Sequence, residues 1–229
     1  MWQLTISRHV PASMSRLLIK RAKTKSKSQN SSGSQQETTV YWDKRMLRLL
    51  DRWGEGTVWE EIRWLLGGSH GRVIDIACGT GRTIELLADL KQIELHGFDL
   101  SDLLIRRAIE RGISRNRLNV CDAIQTPYAN ESFNYGYSIG SLEHFTEEGI
   151  CLCLLDNKRI VKRTVFHMIP TSKTKQNEGW ITTYQSFFLN SIDWWLDKCR
   201  QIYPHTTVIE SSFQDSMSIG YWLVCNKEG

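Results

Sequence analysis

The chain has 229 residues, 41% apolar and 10% aromatic, which suffices for one globular domain with a sizeable core. Its formal charge is +4, but residues 1–37 hold seven basic side chains against one acid, Glu37, so that stretch carries +6 and the remainder −2; this argues against a nucleic-acid groove on the main domain. No apolar run approaches the length of a membrane span, and six scattered cysteines without a C-x-x-C pair or a secretory signal point to reduced thiols in the cytoplasm.

Residues 1–37 are expected to form a disordered basic tail, because Lys23 to Gln36 is too poor in apolar side chains to offset the entropy of ordering. An organellar transit peptide, or weak contact with an anionic surface, is the alternative for this stretch. The folded domain is expected over 38–229. Tyr41 to Trp53 and Val58 to Leu66 carry helical spacing through Met46, Leu49, Leu50 and Ile62, Leu65, Leu66. Arg72 to Ile76 reads as a strand buried on both faces of a parallel sheet, since Val73, Ile74 and Ile76 are β-branched and apolar. A glycine turn follows, and then Ile84, Leu86, Leu87 and Leu90 recur at helical spacing. Gly79 and Gly81 allow a sharp turn and a close approach to a ligand, and the helix beyond offers N–H groups to an anionic group. Ile84 occupies the place of the third glycine in a dinucleotide fingerprint, and no Walker-type run occurs.

Glu94 to Ser101 reads as a second strand ending in Asp99, Leu103 to Arg111 as a crossover helix, and Leu118 to Ala123 as a third strand that includes Asp122. Ser132 to Gly140 reads as a fourth strand, followed by Ser141-Leu142-Glu143-His144-Phe145. Glu147 to Val161 reads as a helix and Arg163 to Ile169 as a fifth strand. The polar first half of the stretch from Pro170 to Phe188 suggests a mobile flap, and its aromatics suggest an acceptor pocket or packing of the last helix. Ser191 to Tyr203 has one face of Ile192, Trp195, Leu196 and Cys199, and Thr206 to Phe213 and Ile219 to Cys225 are the last two strands.

Asp75-Ile76-Ala77-Cys78-Gly79-Thr80-Gly81 closely resembles motif I of the class I S-adenosylmethionine-dependent methyltransferases, with Ala77 replacing the first glycine of the commoner form. The later segments follow in the family's order, and Glu143-His144-Phe145 is similar to the E-H-F signature of its small-molecule members. The resemblance implies an α/β, Rossmann-like doubly wound fold. Its sheet would be mostly parallel and seven-stranded, closed by an antiparallel C-terminal hairpin, with helices on both faces. It implies S-adenosylmethionine as cofactor, held by Tyr41, Asp75, Ala77, Cys78, Gly79, Thr80, Gly81, Asp99, Leu100, Asp122, Ala123, Ser138, Ile139 and Gly140. Asp99 would accept both ribose hydroxyls, and Asp122 the adenine amino group. Taken alone, Asp99 also fits a helix N-cap and Asp122 a turn-pinning residue. Leading helices close over the cofactor in this family, which makes Tyr41 and Trp42 candidates near the methionine moiety, with helix packing the alternative.

Methyl transfer is an in-line displacement, so the protein must hold the acceptor behind the methyl carbon and, for a hydroxyl, remove a proton. His144, just after the fourth strand, is the candidate base, and His167, near the end of the fifth, a candidate substrate-facing group. Glu143 would orient the methionine end or an imidazole, or else stand as a solvated first-turn acid. Trp180 and Tyr184 are candidate substrate-binding residues. The Asn/Asp-Pro-Pro-aromatic motif of nucleobase and glutamine amino-methylases is absent, as is the Pro-Cys of cytosine C5 enzymes. A metal-dependent site is the lesser alternative, with Asp156-Asn157 at a strand end; Cys151 and Cys153 read as packing, and no metal is expected. A small-molecule oxygen or nitrogen acceptor is expected. The alternatives are an RNA or protein methyltransferase docking through the tail, and a non-catalytic binding module of the same fold.

Overall fold

A computed structural model describes residues 39–228, so the expectation of a disordered tail over 1–37 lies outside the described residues. The sheet is built around β1 (Gly71–Ile76), whose Val73, Ile74 and Ile76 are buried to within 1% of completely. On one side β1 pairs in parallel with β2 (Ile93–Asp99), and β2 with β3 (Leu118–Val120). On the other side it pairs with β4 (Phe133–Ile139), and β4 with β5 (Val161–Ser172), again in parallel. The small hairpin β6 (Trp180–Ile181) and β7 (Phe187–Phe188) stands apart from this sheet. β8 (His205–Gln214) and β9 (Ser218–Asn226) complete the main sheet in the order β3-β2-β1-β4-β5-β9-β8, with β9 antiparallel to both neighbours. The order in which strands are added reverses between β1 and β4, the chain passing outward through β2 and β3 on one side and then through β4 and β5 on the other. In an open α/β sheet such a reversal opens a crevice at the carboxyl ends of the strands.

Helices cover both faces. Ile74 and Ile76 belong to a core with Ile150 and Leu154 of α5 (Glu147–Ile160) and Trp195 and Cys199 of α6 (Ile192–Arg200). Val73 faces the opposite core, with Val58 and Ile62 of α2 (Val58–Leu65), Ile84 of α3 (Arg82–Leu86) and Ala108 of α4 (Asp102–Glu110). Side-chain caps set several helix starts: Ser101 accepts from the Leu104 N–H, Thr146 from Gly149 and Ser191 from Trp194. α2 is also fastened to the far edge of the sheet. Glu61 accepts four hydrogen bonds, from the Ser211 hydroxyl, the Ser212 N–H and hydroxyl, and the buried Trp222 indole, all at 2.6 to 2.7 Å.

The structure shifts several expected boundaries. Tyr41 and Trp42 lie in a 3-10 turn, Thr39–Trp42, and α1 (Lys44–Leu50) begins only after Asp43, whose carboxylate accepts from the Arg45 N–H. α3 stops at Leu86. β3 stops at Val120, because Asp122 turns the chain by accepting from the Ile124 N–H at 3.1 Å. β5 starts directly where α5 ends and runs on to Ser172. Asp156 and Asn157 lie on α5 rather than at a strand end, and Asp156 is bonded to Thr126 and Arg159. Among the described residues no group of three or more His, Cys, Asp or Glu is placed to hold a metal, and no helix is long and apolar enough to cross a membrane.

Candidate active site

The β1–α3 loop turns through two glycines in the left-handed region, Gly79 at φ 54° and Gly81 at φ 70°. A Cβ on Gly81 would stand 2.4 Å from Ile113 Cδ1 and 2.8 Å from Ala108 Cβ, so the missing side chain lets α4 pack against the loop. Ala77 also has a positive φ, 56°, a conformation that costs an L-residue about 1–2 kcal/mol. Beneath the loop Asp75 is buried and accepts from the Tyr137 hydroxyl at 3.0 Å. Burial drives the Asp75 carboxyl well above the usual range, and Tyr137 opposes that only partly. Asp75 therefore ties the end of β1 to β4 just before the loop.

Above the loop a cleft opens at the carboxyl ends of β1, β2 and β4. One wall is an apolar slot of Phe98, Leu100, Leu104, Cys121 and Ala123. At its edge stands Asp99, whose carboxylate accepts from the N–H groups of Gly79 and Ser101, both at 2.9 Å. Burial pushes Asp99 up to about 6, against the pull of the Ser101, Gly79 and Leu100 amides, so it is mostly ionised at neutral pH. Ala77, Gly79, Ile139 and Gly140 also line the cleft, together with Tyr41 and Leu50 of the leading segment. His144, Ser141, Phe145 and Gln185 line the remaining wall.

His144 lies in a 3-10 turn, Leu142–His144, directly after β4. Its Nδ1 is 2.8 Å from the Ser186 carbonyl, an acceptor only, so Nδ1 carries the proton and Nε2 the lone pair. Burial lowers its pKa to about 4, with the Ser186 carbonyl opposing, which makes the ring neutral at pH 7. Glu143 is 2% exposed, its Oε1 stands 3.8 Å from His144 Nε2, and its Oε2 has no partner. Glu143 is thus not the solvated acid considered from sequence. Burial raises its pKa to about 8.

A carboxyl whose folded pKa exceeds its unfolded value holds a proton that the unfolded chain has released, so stability falls with pH up to the folded pKa. Between pH 6.5 and 8 Glu143 is expected to cost the native state up to about 2 kcal/mol. Glu143→Gln should flatten that decline in urea-unfolding stability. Parallel curves for the two proteins over this window would contradict it.

Several sequence candidates lie outside the cleft. His167 is not near the strand end: β5 continues to Ser172, and the ring is fully buried, with Nδ1 2.8 Å from the Ser138 hydroxyl. Burial lowers its pKa to about 3, and Ser138 is held in the same buried pair. Cys78 and Thr80 are buried within the loop. Asp122 sits in its turn. Trp180 packs edge-on against Phe188 at 4.9 Å, and the Tyr184 hydroxyl donates to Asp43. Leu50, Phe98, Leu104, Cys121, Ser141 and Gln185 enter the cleft without having been given a site role from sequence, and Phe145 of the E-H-F segment joins them.

Residues 73–163 match a family described as "Methyltransferase domain", and the match spans β1 to the start of β5. Over these residues the chain is similar to that methyltransferase family. The chain is also similar to an "O-methyltransferase" of Pyrenophora dematioidea, 32% identical over 90 residues that make up 37% of this chain and 33% of that protein. The match thus spans about a third of the relative's length. The fold is shared with a Thermotoga maritima structure titled "SAM-dependent methyltransferase, possible histamine N-methyltransferase" (TM-score 0.57, 17% identity, 80% of this chain and 94% of that one). It is also shared with the geranyl diphosphate C-methyltransferase of Streptomyces coelicolor A3(2), solved with Mg2+, geranyl diphosphate and S-adenosyl-L-homocysteine (TM-score 0.57, 14% identity, 75% and 79%).

Proposed function

We propose that this domain transfers a methyl group from S-adenosylmethionine to an oxygen or nitrogen of a small molecule, with Asp99 holding the cofactor and His144 serving as base on the acceptor side. The observation that carries the reading is that a buried carboxylate and a tautomer-fixed neutral imidazole line one cleft at the switch point of the sheet. The donor set suits the cofactor: an apolar slot for a flat base ends at a carboxylate able to accept two ribose hydroxyls. When bound, S-adenosylmethionine supplies a methyl group on a sulfonium that is open to in-line attack. Asp99 fixes the ribose, Gly79 and Ala77 let the chain approach closely, and His144 Nε2 accepts the proton of a hydroxyl acceptor as its oxygen becomes nucleophilic. The relative's printed O-methyltransferase name supports an oxygen acceptor, while the fold neighbours' titles include nitrogen and carbon chemistry. All six cysteines are unpaired, which supports a reducing, cytoplasmic setting.

Calorimetric titration with S-adenosylmethionine and, separately, NADH tests the reading. Saturable binding of the first alone is expected, and no binding would leave a methyltransferase fold without its chemistry. Asp99→Ala should weaken that binding at least tenfold, about 1.4 kcal/mol. An unchanged dissociation constant would remove Asp99 from the ribose site.

A further inference from the structure

Three consecutive residues at the turn between β6 and β7 grip the leading segment and the cleft wall: Tyr184 holds Asp43, while Gln185 and Ser186 hold the lining residues Tyr41 and His144. The Tyr184 hydroxyl donates to the Asp43 carboxylate. Gln185 Nε2 donates to the Tyr41 hydroxyl at 3.3 Å. The Ser186 carbonyl accepts from His144 Nδ1 at 2.8 Å. The contacts then continue toward the cofactor side. The Ser101 hydroxyl donates to the Tyr41 carbonyl at 2.8 Å, and the Ser101 N–H donates to Asp99. An unbroken run of side chains and backbone therefore joins the candidate ribose acid to the candidate base through Ser101, Tyr41, Gln185 and Ser186.

The hairpin that carries this turn is small. β6 and β7 share two residue pairs and join no other strand. Its base is anchored by Trp180 against Phe188 at 4.9 Å and Phe188 against Trp194 at 5.4 Å. Its tip is held by the three polar grips above. The hydrogen bonds at the tip of such a hairpin can exchange, so a ligand that orders the 39–43 segment favours the clasped arrangement seen here.

We propose that Gln185 is a positioning residue: by clasping Tyr41 it couples occupation of the cofactor side at Asp99 to the placement of Ser186 and hence of the His144 imidazole. This rests on the cofactor reading given above. It assigns Gln185, in a segment that sequence alone suggests is a flap, a part in bringing acceptor and cofactor sites into register.

The test uses the full chain and S-adenosylhomocysteine, so no acceptor need be known. Amide hydrogen exchange at residues 184–186 should slow about fivefold or more on binding, the scale of one hydrogen bond, while the hairpin base changes little. Gln185→Ala should abolish that slowing and weaken S-adenosylhomocysteine by about threefold to fivefold in calorimetry. Tyr41→Phe should do the same, and the double variant should lose no more than either single one. Gln185→Glu, whose carboxylate can accept from the Tyr41 hydroxyl, should recover most of the affinity. Binding to the wild type without slowing at 184–186, or additive losses in the double variant, would overturn the coupling and leave the cofactor reading standing. No binding of S-adenosylhomocysteine to the wild type would overturn both.

Discussion

Replacing His144 by alanine should lower turnover about 10²-fold or more and leave S-adenosylmethionine affinity within about twofold. The asymmetry follows from geometry: Asp99 accepts from Gly79 and Ser101, whereas His144 is bonded to Ser186, so neither side chain contacts the other. With Nδ1–H committed to Ser186, Nε2 is left to receive a proton, and no other imidazole among the described residues lines the cleft. Release of S-adenosylhomocysteine, with an acceptor found by screening the wild type, measures the effect. His144→Gln separates two roles, because a side-chain amide can still donate to Ser186 but is not a base. Wild-type turnover in the Gln variant would make His144 a support for the 184–186 turn alone. Equal losses in the Ala and Gln variants would identify the proton acceptor.

Glu61→Ala should destabilise the fold by about 3 kcal/mol and lower Tm by roughly 10 °C. One carboxylate accepts all four hydrogen bonds, and its loss strands the indole N–H of Trp222, a side chain 1% exposed in the middle of β9. Burial raises the Glu61 pKa, but the donors Ser211, Ser212 and Trp222 outweigh it and hold the group below the usual glutamate value. Urea unfolding with an unchanged slope and a lower midpoint is the expected signature, whereas a change below about 1 kcal/mol would mean that water or another acceptor replaces the carboxylate.

β1 was legible as a local apolar run that ends in a glycine turn, whereas β2 and β4, mixed in polarity, were placed by the family resemblance; each lies within a few residues of its expected bounds. The glycine loop was legible because its conformation needs particular residues at particular places. The site's acceptor side was not. Gln185 reaches Tyr41 across 144 positions and Ser186 meets His144 across 42, and no local pattern of Thr-Thr-Tyr-Gln-Ser announces either contact. His167 misled for a related reason: the run Arg163 to Ile169 looks like a whole strand, but its pairing with β9 extends through Pro170, Thr171 and Ser172, which places the ring mid-sheet. Tyr41 could be named from the family resemblance even though Asp43, as a cap, delays the helix past it.

The position of β9 between β5 and β8 has a consequence for biosynthesis. Of the seven strands in the sheet β9 is the last to be made, yet it fills an interior place, so during synthesis β5 has an open edge until residues 218–226 are available. That edge includes Val165-Phe166-His167-Met168-Ile169, apolar except for His167, the kind of surface that pairs with another chain when it stays open. A nascent chain stalled before β9 would thus be the form most prone to aggregate, and the form for which chaperone binding on the ribosome matters most.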